Sequence, residues 1–115
     1  MKILFALLLF PTLTFADEFK SLSGDEALSR DEVVALTSNH KLEFYEGGVS
    51  HFSVGGAYSY AYEGGGTAFG SFVVENDGLV CIAYRNGRSR CDRYVRSHGR
   101  VVMLTQSGER FAIRP

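Results

Sequence analysis

The stretch Gly78-Leu79-Val80-Cys81-Ile82-Ala83-Tyr84-Arg85-Asn86-Gly87-Arg88-Ser89-Arg90-Cys91-Asp92-Arg93-Tyr94-Val95 decides the fold. Two apolar-rich runs flank Asn86-Gly87, a strong hairpin signal. The cysteines add a constraint. A two-residue loop at Asn86-Gly87 pairs Cys81 with Asp92 and sends the two sulfurs to opposite faces. A loop of three residues, Arg85 to Gly87, sets Cys81 opposite Cys91 on one face. That loop is a type I turn followed by a left-handed residue, and Gly87 stands where a positive φ is required. A Cys81–Cys91 disulfide therefore selects the three-residue loop. The same register sets Arg88 and Arg90 on the face opposite Cys91, across the ladder from Tyr84 and Ile82.

Residues 1–16 read as a secretory signal peptide. Lys2 opens it, Ile3 to Phe10 form an apolar run too short to span a bilayer, and Thr14-Phe15-Ala16 supplies a cleavage site. The mature chain then holds both cysteines, and export places them in an oxidising compartment, periplasmic or secreted. An even count there reads as a disulfide, worth about 2–3 kcal/mol on the chain-entropy model. A zinc site is the competing reading. Two cysteines ten apart with no Cys-x-x-Cys and no nearby His pair give it little support. No transmembrane segment is expected after cleavage.

Charge is lopsided. Residues 17–77 carry eleven acidic residues against Lys20, Arg30 and Lys41, whereas 78–115 carry eight arginines against Asp92 and Glu109. The plainer reading is that the halves neutralise each other within one fold. The sharper one is an arginine surface for an anionic partner.

Working outward, residues 17–29 are polar and aperiodic, and read as a flexible arm ahead of a single β domain over 30–115. Ser29-Arg30-Asp31-Glu32 fits a capping box, with Leu28 and Val33 as a hydrophobic staple. Asn39 suits a left-handed helix end. The helix has about two turns and must dock to persist. The chain after Asn39 reads as about eight short strands with glycine turns, an all-β antiparallel barrel-like or sandwich meander. The glycine runs at 47–48, 55–56 and 64–66 are turns or bulges, since no Walker lysine and no helix N-terminus follows them.

"LTSN" at a helix end, then "GTAFGSFVVENDGLVCIAYRNGRSRCDRY", then "RVVMLTQSGERFAI", resembles a group of small exported alphaproteobacterial proteins of unknown function. Gly70, Phe72, Val74, Asp77, Gly78, Cys81 and Cys91 carry the resemblance, which covers roughly 33–113. Phe72 stands where that pattern has tryptophan, and Ser38-Asn39 replaces a glycine at the helix end. The resemblance implies a secreted β-meander and offers no catalytic residues.

Candidate chemistry is sparse. His40, His51 and His98 stand in no catalytic or metal-ligating motif, and no Gly-x-Ser-x-Gly occurs. No catalytic residue, metal or cofactor is assigned, and the domain is expected not to be an enzyme. Tyr58, Tyr60 and Tyr62 share one strand face. They form either a binding wall with polar tips or an aromatic ladder that packs the core. Tyr84, Arg88 and Arg90 complete the candidate ligand site, a guanidinium beside a ring holding an anion. Nucleic acid is a poor partner for an exported chain of near-zero net charge. An anionic glycan, lipopolysaccharide or an envelope protein fits the compartment. The alternatives are a secreted inhibitor of a protease or lysozyme, inserting the 17–29 arm or the Ser97-His98-Gly99 loop, and a small hydrolase using His51.

Overall fold

One turn, used repeatedly, builds the sheet. The computed structural model describes residues 19–115; the expected signal peptide lies outside them. At the central hairpin Tyr84 N–H donates to Arg88 O at 2.8 Å and Gly87 N–H donates to Tyr84 O at 3.0 Å. Gly87 has φ +88°, as the three-residue loop requires. The same pair of hydrogen bonds closes the turns Phe44–Gly48, Tyr62–Gly66, Glu75–Leu79 and Thr105–Glu109.

These five turns, with a 3-10 turn over Val54–Gly56 and a two-residue turn at His98-Gly99, join β2 (His40–Glu43), β3 (Val49–Phe52), β4 (Ala57–Ala61), β5 (Thr67–Val74), β6 (Val80–Tyr84), β7 (Ser89–Ser97), β8 (Arg100–Thr105) and β9 (Arg110–Ala112) into an antiparallel meander. The sheet curls into a half-barrel. Its outer strands meet at a single bridge, Phe44 opposite Ile113, where Tyr45 N–H donates to Ala112 O at 3.1 Å and Arg114 N–H to Glu43 O at 2.7 Å. Cys81 pairs with Cys91 and the disulfide is formed.

A ninth strand, β1 (Asp25–Ala27), pairs with the far half of β7. This corrects the expectation of a flexible arm over 17–29 for the described part of that stretch. The Asp25 carboxylate is buried and accepts from Arg110 Nη1 at 2.7 Å and Nη2 at 3.1 Å, while Leu22 N–H donates to it at 2.8 Å. Phe19 packs on Val95, Val102 and Leu104, a small cluster on the outer face of the sheet.

The single α-helix among the described residues, α1 (Arg30–Thr37), is capped as its sequence specifies: Glu32 N–H donates to Ser29 Oγ, and Ser29 N–H donates to the Glu32 carboxylate. Asn39 takes φ +54° beyond its end. Leu28 and Val33 are both buried in the main core, with Leu36 packed against it. The rest of that core is the inward face of the sheet: Leu42, Phe44, Phe52, Tyr58, Val80, Ile82, Tyr94 and Met103. Alternation puts these on one side of each strand and leaves the disulfide on the other. Among the described residues no helix is long and apolar enough to cross a membrane.

Of the ion pairs, Arg93–Asp77, Arg96–Glu32 and Arg110–Asp25 each join the basic half of the chain to the acidic half. Intramolecular neutralisation therefore accounts for part of the arginine surplus.

Candidate functional site

A meander of hairpins has two ends. The turns after β2, β4, β6 and β8 gather at one, and α1 packs at the other, beside the start of β2 and the end of β7. The end without the helix is an open mouth. Two adjoining hollows occupy it. One, of about 260 Å³, is lined by Tyr62, Tyr84, Asn86, Arg88, Ser89 and Arg90. The other, of about 170 Å³, is lined by Tyr60, Tyr62, Tyr84, Arg90, Glu46 and Glu109 among others.

The structure thus brings five of the six candidate ligand residues to one place. Tyr58, the sixth, is core: it is buried, its ring lies 5.1 Å from Phe52 and 6.1 Å from Tyr84, and its hydroxyl is 2.9 Å from Ser50 Oγ. The tyrosine stripe is a ladder at its inner end and a wall at its outer end. Tyr60 donates to Glu46 Oε1 at 2.7 Å and meets Tyr62 edge-on at 5.0 Å. Tyr62 is 55% exposed. A Cβ on Gly48 would run into the Tyr60 hydroxyl, so a bare backbone there lets the ring lie down.

Arg88 is exposed, and its backbone holds the turn by accepting from Tyr84 N–H and by donating to Asn86 Oδ1. Arg90 turns inward instead of standing on an open sheet face. Its guanidinium lies 5.9 Å from the centre of the Tyr60 ring, and its Nε stands 3.1 Å from Asp92 Oδ2. That contact is close enough for an ion pair but is not aligned as a hydrogen bond. Nε and Nη2 of Arg90 and both oxygens of Asp92 are buried with no hydrogen-bond partner among the described residues.

Asp92 is 1% exposed. Burial pushes its carboxyl up to about 6, against the opposing pull of Arg90. Burial works against the Arg90 charge, but Asp92 beside it outweighs that effect and holds the guanidinium protonated. Tyr58 and Tyr94 are raised first by burial; Tyr60 is raised by burial and then by its bond to Glu46. The hydroxyls of Tyr58, Tyr60 and Tyr94 are therefore neutral throughout the physiological range.

Sequence reasoning missed Glu46, Asp92 and Glu109. The parity of Arg90 and Asp92 was available as a signal, since an acid two positions along a strand from an arginine shares its face.

The residues weighed for other chemistries lie elsewhere. His51 sits on the outer face of β3, opposite Lys41 and Ser59. His98-Gly99 forms a tight two-residue turn, with φ +50° and +83°. A larger hollow, about 580 Å³, is an open groove beside α1 lined by Val34, Val54, Phe72 and Val73 among others. No family model, curated protein or solved structure matches the chain.

Proposed function

We propose that the domain is a non-catalytic binding module of the bacterial envelope, exported and held by its disulfide, and that the mouth opposite α1 takes an anionic ligand. The observation that carries this reading is the convergence of Tyr60, Tyr62, Tyr84, Arg88 and Arg90 on two adjoining hollows. Aromatic walls with a few convergent polar groups are the usual make-up of a small-ligand pocket. Guanidinium groups match planar anions, and rings beside them cover the ligand's apolar part.

The test is retention of the mature protein on an immobilised anionic glycan. Arg88→Glu should abolish retention and leave the melting temperature within about 8 °C of the parent's, because exposed charges contribute at most about 1 kcal/mol. Binding should weaken as salt rises. Retention that survives Arg88→Glu and high salt would remove the mouth from consideration.

A further inference from the structure

We propose that the ligand of the mouth is a sugar unit bearing a single acidic group, a hexuronic acid, and not a polyanion. This rests on the reading of the mouth as an anion site and narrows it.

The charges on the mouth argue for one negative group. Arg88 lines the larger hollow alone, Arg90 lines both, Glu46 and Glu109 line the smaller, and Asp92 lies beneath Arg90. Acids outnumber bases. A phosphate-rich chain or surface would meet Glu46 and Glu109 at the same time as the arginines. A single carboxylate can sit at Arg88, away from both.

The neutral groups argue for a sugar. Tyr62 and Tyr84 line both hollows, so one ring face of a ligand can rest on them while its substituents reach either side. The smaller hollow offers acceptors for hydroxyl groups. Glu46 Oε1 already accepts from Tyr60, and Glu109 Oε1 accepts from Ser107 at 3.0 Å, which fixes both carboxylates in place. At ~30 Å³ per water, the smaller hollow of 170 Å³ has room for about six waters, on the scale of one sugar ring. Arg88 and Arg90 in the larger hollow then receive the acidic substituent. Glu46 and Glu109 in the smaller bind the hydroxyls.

The experiment titrates the mature protein with galacturonic acid, with its methyl ester and with inorganic polyphosphate, following amide and tyrosine-ring shifts by NMR. The acid should bind at least tenfold more tightly than the ester, with shifts centred on Tyr62, Tyr84 and Arg88. Arg88→Gln, which keeps the turn because only the backbone of Arg88 holds it, should lower affinity for the acid about fivefold to tenfold and leave the ester unaffected. Glu109→Gln should weaken the acid and the ester alike. If polyphosphate binds at the mouth and the acid does not, the sugar assignment falls and the anion site stands. If the ester binds as well as the acid, or if none of the three shifts the mouth residues, both fall.

Discussion

Arg90 Nε and Asp92 Oδ2 lie 3.1 Å apart on the inward face of β7, in charge contact without an aligned hydrogen bond. Such a pair gives little net stability, since both ions lose water and neither gains a well-made bond. It makes stability depend on pH. The folded Asp92 carboxyl titrates near 6, above the 3.8 of the free group. Between those values the folded state binds more protons than the unfolded one. The Asp92 contribution is therefore greatest at low pH and is lost as pH rises from about 4 to about 6, by at most about 3 kcal/mol. Urea midpoints of the parent should fall over that window, and Asp92→Asn should flatten the slope. Equal slopes in both proteins would show that Asp92 stays ionised.

Asp25 acts in the opposite sense. Its bonds to Arg110, and then to Leu22 N–H, hold its carboxyl well below the usual carboxylate range. Its contribution is present above about pH 4 and is lost as pH falls further. Arg110→Met leaves the Asp25 carboxylate with only the Leu22 N–H and the Ser97 hydroxyl as donors. A loss of about 2–3 kcal/mol is expected, less than for a fully enclosed pair because Arg110 reaches solvent. The segment before β1 should also loosen. Trypsin should cut after Lys20 much faster in the variant than in the parent, and equal rates would show that the pair does not hold the segment.

Gly87→Val should be costly. A β-branched residue resists the φ of +88° that closes the central hairpin, and a loss of roughly 1–3 kcal/mol follows. Nothing lies within 4 Å of a Cβ at this position, so the cost is one of conformation and not of collision. A melting temperature equal to the parent's would contradict the turn geometry.

Ser29→Ala removes the acceptor for Glu32 N–H and should cost about 1 kcal/mol. Leu28 and Val33 bury the helix start in the main core, so the loss should appear in the global unfolding transition. A second, earlier transition would show that α1 unfolds by itself.

The strands, the hairpin register, the disulfide and the cap are legible in the sequence because each is a local signal. Cys81, Gly87 and Cys91 constrain one another within a dozen residues. The docking of β1 is not legible. Asp25-Glu26-Ala27 has no apolar alternation, and its anchor, Arg110, lies at the other end of the chain. Parity showed that Arg88 and Arg90 share a face. It could not show that the curl of the sheet turns Arg90 inward while Arg88, at the turn, stays outside. Nor does alternation tell a packed ring from an exposed one. Tyr58 and Tyr62 occupy the same face, and only distance from the open end separates core from wall.

The bridge between Phe44 and Ile113 sets an order in time. Nearly every strand of the meander pairs with its neighbour in sequence, so the sheet can form hairpin by hairpin as the chain lengthens. The seam cannot. Its far partner is Ile113, which follows β9. Until that residue is delivered, the curled sheet has two open edges and a core exposed along one side. Exposed edges of this kind are where chains pair with the wrong partner. A chain paused or cut ahead of β9 would present that hazard at its greatest, with the disulfide hairpin already complete and the barrel still unsealed.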